Sequence, residues 1–337
     1  MFRMKMVRVD CLGANVSSIG FGCASLGGRI GARGGIEGLE RAYEAGITWY
    51  DVAPSYGDGM AESILGQFAS MKRGSVFICT KVGMRPPEIS AAMRFLKPIA
   101  RASLAVFPAI QPRLSAMKSK PFKVPLSAEL IRTSIDDSLR RLRTNYVDVL
   151  ALHRPTREEV MREDILRAVE RVVQDGKARA ISIAGESKGV IDGLRESLPY
   201  RLIQIANNPF EQNLRISADI APRRTFITYG SFSSIDPLAS RIKSDKEMLN
   251  GLREMGYQGN LSEMAAAFVV DYALATNSAG VTLFSMFRKE HLAFNLLRLA
   301  QAPMLHQLNR IAAALSKDRR QTEPMCGDSN DRRIERC

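Results

Sequence analysis

The sequence predicts an α/β protein, a (β/α)8 TIM barrel in a single domain that carries a long inserted loop. Three observations predict it. Eight short apolar or β-branched runs recur along the chain, amphipathic helical segments alternate with them, and no composition break divides the 337 residues into halves. Alternating strands and helices imply a parallel sheet. Eight such units in one unbroken chain suit a closed barrel better than an open doubly wound sheet.

The strand-like runs are 18–22, 47–51, 76–81, 147–153, 178–184, 202–206, 226–229 and 280–284. The segment 35–45 puts Ile36, Leu39 and Tyr43 on one helical face, and 61–69 does the same with Ile64, Leu65 and Phe68. In 128–142 the stripe is Leu130, Ile131, Ile135, Leu139 and Leu142, with Ser127 placed to cap the helix. Helical segments at 158–173, 188–196, 261–275 and 289–299 complete the alternation.

Two stretches break the rhythm. Residues 84–126 hold seven prolines, so they cannot form one continuous helix. They read as an insert over one end of the barrel. Residues 316–337 are polar and rich in Arg and Asp. They read as a disordered tail, which leaves 1–315 as the barrel domain.

Composition narrows the function classes. Hydrophobic residues at 45% and charged residues at 25% allow a large core and exclude wholesale disorder. No run of eighteen apolar residues is free of charge, so no transmembrane helix is expected, and the first ten residues lack the apolar stretch of a secretory leader. The five cysteines form no C-x-x-C pair and read as reduced thiols in a cytoplasmic protein. The three histidines, His153, His291 and His306, are not at ligand spacing, so no metal site is expected.

The net charge of +13 would suit nucleic acid, a membrane surface or an anionic cofactor. More than half of that excess sits in 84–126, which has eight Lys or Arg against one Glu. No nucleic-acid partner is therefore expected. The leading reading of the insert is a solvated lid. A lid favouring anionic or amphiphilic substrates is the second. The third is a surface for an acidic partner or an anionic membrane, where Phe95, Leu96, Leu104, Val106 and Phe107 interleave with Lys97 and Arg101.

A catalytic barrel keeps its site at the C-terminal ends of its strands. One run ends at Asp51, with Tyr56 in the loop beyond, another at Lys81 and a third at His153. The four polar groups thus converge on one mouth. There a lysine ammonium favours the phenolate form of a nearby tyrosine and should lower its pKa, while Asp51 keeps the lysine charged. Tyr56 is then placed to act as a general acid. Taken alone, Asp51 and Lys81 could equally be a structural ion pair. Gly20-Phe-Gly22 hints at a dinucleotide loop, but no helix follows at the required spacing.

Asp51-Val-Ala-Pro-Ser-Tyr56-Gly, Cys79-Thr-Lys81-Val-Gly, Tyr146-Val-Asp148 with Leu152-His153-Arg-Pro155, and Gly176-Lys-Ala-Arg179 occur in order along the chain. Together they resemble the aldo-keto reductase family over about residues 7–300, the insert apart. The resemblance implies an oxidoreductase that interconverts an aldehyde or ketone and its alcohol with NADPH, NADH being the lesser candidate. It implies Asp51, Tyr56, Lys81 and His153 as the catalytic tetrad, with Tyr56 as proton donor. It also implies Gln204, Tyr229, Ser285, Arg288 and Asn295 as cofactor contacts. The sequence departs from the family pattern at Ala184-Gly185, where Ser-Asn is usual, at Gly230-Ser231-Phe232, and at Phe284-Ser285, where Pro-Gly is usual. These departures favour an alternative, a nucleotide-binding regulatory or partner-binding subunit with little catalysis, and the intact tetrad opposes it.

Overall fold

The structure, a computed structural model, describes residues 4–86, 121–185, 198–301 and 305–322. Eight parallel strands close into a barrel: β3 (Ile19–Gly22), β4 (Trp49–Asp51), β5 (Phe77–Val82), β8 (Val147–His153), β9 (Ala178–Ala184), β10 (Tyr200–Ala206), β11 (Thr225–Tyr229) and β12 (Val281–Phe284). They follow one another around the ring in chain order, and β12 pairs with β3 to close it. Each corresponds to one of the eight expected runs.

Side chains alternate between the two faces of each strand. Ile78, Val82, Leu150 and Leu152 point outward and pack with helix residues such as Leu65, Ile131 and Ile135. Trp49, Cys79, Val149, Ala151, Ala180, Leu202, Ile227 and Val281 point inward and fill the barrel. The same alternation carries Asp51, Lys81, His153 and Gln204 inward one layer higher, at the C-terminal mouth. Gly20 admits the Trp49 ring to the lower layer, because a Cβ there would lie 2.9 Å from Trp49 Cδ1 and 2.6 Å from Leu283 Cδ2.

A hairpin of β1 (Met6–Val9) and β2 (Ala14–Ser17) plugs the opposite end, with Val7, Val9, Leu12 and Val16 joining the inner cluster. Asp148 locks this floor. It accepts from Arg73 Nη2 at 2.7 Å, Arg179 Nη1 at 2.9 Å and the Ile78 N–H at 2.9 Å, while Arg179 Nη2 donates to Leu12 O at 2.5 Å. The Tyr146-Val-Asp148 block therefore braces the closed end, away from the mouth.

Ser127 caps the helix Ala128–Leu142 by accepting from the Leu130 N–H at 3.1 Å, as its position implied. The single helix expected over 158–173 is two, Arg157–Met161 and Glu163–Gln174, with Arg162 extended between them. Thr156 and Glu159 form a capping box on the first. Arg162 donates to Leu126 O at 3.0 Å and to Asp164, which restarts the chain as a second helix. The segment 188–196 lies outside the described residues. So does 87–120, most of the insert. Its two ends meet as a short antiparallel ribbon, β6 (Met84–Arg85) with β7 (Phe122–Lys123). Four further helices, Asn213–Ile220, Ile235–Ser244, Lys246–Glu254 and Leu305–Thr322, were not expected, and the last passes the boundary set at 315. Among the described residues no helix is long and apolar enough to cross a membrane.

Candidate active site

Register brings the strand-end polar groups together. Asp51 pairs with Cys79 across β4 and β5, Lys81 with Ala151 across β5 and β8, and His153 with Ala184 across β8 and β9. Lys81 and Asp51 are almost completely buried, at 1% and 3% exposure. Lys81 Nζ donates to Asp51 Oδ1 at 2.5 Å and to Val52 O at 3.1 Å. Gln204 Nε2 donates to the other carboxylate oxygen at 2.9 Å. One carboxylate thus orients both the ammonium and the amide.

Tyr56 sits in the loop after β4. Gly57 follows it at φ +57°, and a Cβ there would strike Leu26 O at 1.7 Å, so the loop can press against the 26–28 turn only with glycine. The Lys81 Nζ lies 4.9 Å from the Tyr56 ring centroid. The His153 ring meets Tyr56 edge to face, with centroids 6.1 Å apart.

Burial is the main influence on all three ionisable partners. It works against the Lys81 charge, but Asp51 and then Tyr56 outweigh it, and the ammonium is held above the usual lysine range. Burial raises the Tyr56 phenol above its usual range, and the Lys81 charge offsets only part of that rise. The expectation that Lys81 brings Tyr56 nearer neutrality is therefore corrected for the free protein: the lysine acts in the expected direction and desolvation exceeds it. His153 is pushed down to about 3 by burial, then by the charges of Lys81 and Arg154, so its imidazole is neutral at physiological pH.

These groups open on a cavity of about 330 Å³. Asp51, Tyr56, Lys81, His153, Gln204, Tyr229 and Ser285 all line it. Arg288 and Asn295 do not. Arg288 is exposed at the start of the helix Lys289–Ala300, and Asn295 is buried on that helix at 1% exposure. Both Asn295 amide atoms lack a hydrogen-bond partner, as do Gln204 Oε1 and His153 Nδ1. The helix is fixed from two sides. Arg298 Nε donates to buried Asp271 on the helix Leu261–Thr276 at 2.7 Å, and Arg41 Nη2 donates to Phe287 O at 2.7 Å, just before Arg288.

Residue-by-residue reading missed several lining groups. Arg154, Phe232, Ser233 and Phe284 face the cavity. Phe232 and Phe284, at two of the positions that depart from the family pattern, stack with centroids 5.2 Å apart. The hydrogen-bond order β11–β12 is what joins them, and single-residue reading does not supply it. Among the described residues no cluster of His, Cys, Asp and Glu could hold a metal ion.

Comparison with known proteins places this geometry. The model of the aldo/keto reductase family matches residues 18–223, more than half of the chain. The chain is 31% identical over 209 residues to D-threo-aldose 1-dehydrogenase from Pseudomonas sp, covering 58% of this chain and 57% of that protein. The match thus spans little more than half the length of that relative. Among solved structures, a glycerol dehydrogenase from Gluconobacter oxydans superposes with a TM-score of 0.69 at 20% identity, covering 97% of this chain and 99% of that one. An aldo-keto reductase from Klebsiella pneumoniae in complex with NADPH gives 0.67 at 17% identity, covering 93% and 96%. At these identities the likeness is one of fold.

Proposed function

Since the chain belongs to the aldo/keto reductase family, we propose that it is an NADPH-dependent oxidoreductase that reduces an aldehyde or ketone to an alcohol, or runs the reverse. The observation that carries this reading is the gathering of Asp51, Tyr56, Lys81 and His153 on one cavity at the barrel mouth. Bound nicotinamide would supply or accept the hydride.

The chain's own residues supply the proton and the orientation. Tyr56 donates its hydroxyl proton to the substrate oxygen as negative charge develops there. Lys81, kept charged by Asp51, stabilises the phenolate left behind. The neutral His153 offers one N–H to the same oxygen. Holding these donors in place before reaction avoids reorganisation during it.

The residues present fit the cofactor. Gln204 Oε1 is a buried acceptor without a partner, suited to a carboxamide N–H, and Asn295 offers an unpaired amide to a base edge. Arg288 at a helix start suits the extra phosphate that separates NADPH from NADH. Sugars are among the first substrates to try, because one relative is named an aldose 1-dehydrogenase. The unpaired thiols of Cys11, Cys23 and Cys79 fit a reducing, cytoplasmic setting. The departures at Ala184-Gly185 and Phe284-Ser285 lean toward a subunit with little catalysis, and the gathering of the tetrad on one cavity outweighs them.

Replacing Tyr56 by Phe tests the assignment. Turnover of an aldehyde and aldose panel should fall by a factor of about 100 or more, while NADPH affinity, read by fluorescence titration, stays within a few-fold. Retention of more than about a tenth of the wild-type rate contradicts the role given to Tyr56.

A further inference from the structure

The helix Leu261–Thr276 is apolar through its middle turns, where Met264, Phe268, Val269, Val270 and Ala273 are all buried. One carboxylate interrupts them. Asp271 is 1% exposed, and a lone carboxylate there would carry a large desolvation cost. It is met by donors from two other elements. Arg298, on the helix Lys289–Ala300, donates from Nε to Asp271 Oδ1 at 2.7 Å and from Nη2 to Oδ2, a fork on both carboxylate oxygens. Tyr257, in the connection before the helix Leu261–Thr276, donates its hydroxyl to Oδ2 at 2.7 Å. The Arg298 guanidinium lies 5.4 Å from the centre of the Tyr257 ring.

Stability alone does not account for such a cluster. A buried ion pair replaced whole by apolar groups of similar size is often neutral or stabilising, because the charges give up hydration to meet. What the pair adds is geometry, since a two-pronged bond closes at one setting of the two helices. That setting matters because of what else the helix Lys289–Ala300 bears. Asn295 stands three residues before Arg298, on the same face, buried with both amide atoms unpaired. Arg288 stands at the helix start. There the Arg41 bond to Phe287 O holds only the main chain. At the far end the Arg298 fork fixes the rotation of the helix about its own axis.

We propose that Asp271, Arg298 and Tyr257 are positioning residues that set the register of the helix Lys289–Ala300 and so present Arg288 and Asn295 to the adenosine half of the cofactor. None of the three lines the cavity, so they act through the helix. The inference rests on the reductase reading above, which gives the helix its nucleotide.

The test replaces the pair whole, Asp271→Leu with Arg298→Met, and reads adenosine 2′,5′-bisphosphate binding by calorimetry. The double variant should keep a urea midpoint near that of the wild type. It should bind the bisphosphate about tenfold more weakly, and the KM for NADPH should rise to match while kcat at saturating NADPH does not fall. Arg298→Lys, which keeps the charge and loses the fork, should lie between the two. A folded double variant with wild-type affinity overturns the proposal, as does a loss of kcat equal to the loss of affinity, which general damage would produce. Should the double variant fail to fold, Tyr257→Phe decides, since it removes one hydroxyl and keeps the packing. It should weaken the bisphosphate about threefold, and wild-type affinity there overturns the proposal. A wild type that binds the bisphosphate and reduces no aldehyde ends the reductase reading alone, and the binding series still decides the clasp. A wild type that binds neither the bisphosphate nor NADPH overturns both.

Discussion

Each carboxylate oxygen of buried Asp51 has a partner within the protein, whereas neither amide atom of buried Asn295 has one. Asp51 takes the Lys81 ammonium on one oxygen and the Gln204 amide on the other. The Asp51 carboxylate at the barrel mouth is thus satisfied from within the protein. Asn295, outside the cavity lining, lies buried on the helix Lys289–Ala300 with both amide atoms unpaired. A buried amide without partners raises the free energy of the empty protein by about 1–3 kcal/mol. Under the proposed function the first arrangement would hold donors in place for reaction, and the second would leave an amide for the cofactor.

Lys81→Met should break this contrast most severely. It leaves the Asp51 carboxylate buried without its cation, which costs about 3–5 kcal/mol of stability. Turnover should fall by a factor of about 100 or more. Combining it with Asp51→Leu should recover much of the stability and none of the turnover, because a buried pair replaced by apolar groups is often neutral. Urea unfolding of the single and double variants separates the two effects. Equal stability of wild type and Lys81→Met would mean that the pair supports nothing.

His153 sharpens the comparison from the acid side. Its imidazole is pushed down to about 3 in the folded protein, with burial the first cause and Lys81 and Arg154 adding to it. In the unfolded chain it takes a proton near pH 6.5. Above that pH both states are neutral and the group contributes nothing to the pH dependence. Between about 6.5 and 3 the unfolded chain binds a proton that the folded one refuses, so stability falls as pH falls, by at most about 1.4 kcal/mol per pH unit. Urea unfolding at pH 7, 6, 5 and 4 should show a shallower acid slope in His153→Gln than in the wild type. Identical slopes would show that His153 titrates normally in the folded state.

The two regions also differ in how much of them the sequence displays. Asp51, Lys81 and His153 each close an apolar run, and a period of two fixes the face on which they lie. Reading those runs is enough to place all eight barrel strands and to bring Asp51, Lys81 and His153 to one mouth. The four unexpected helices have no such cue. Ile235–Ser244 and Lys246–Glu254 crowd into one connection, between β11 and β12, where simple alternation allows a single helix. Arg154 looks like any arginine before a proline, and its left-handed backbone follows from the bond to Ala184 across β8 and β9. Phe232 and Phe284 lie far apart in the chain, and only neighbouring strands stack their rings. The Tyr56 pKa could be read only in part, since the lysine effect follows from proximity while the larger burial effect depends on what surrounds the phenol.

Asn295→Leu carries the smallest effect and tests the contrast most directly, because it should move two measurements in opposite directions. Leucine has nearly the shape of asparagine and no hydrogen-bonding groups, so the empty protein should gain about 1 kcal/mol in urea unfolding as the unpaired amide disappears. NADPH should meanwhile bind about tenfold more weakly by fluorescence titration, since the group reserved for it is gone. Loss of stability together with weakened binding would point to a merely structural Asn295. Unchanged binding with gained stability would leave the amide without a ligand to serve, and the nucleotide end would have to be sought elsewhere on the barrel rim.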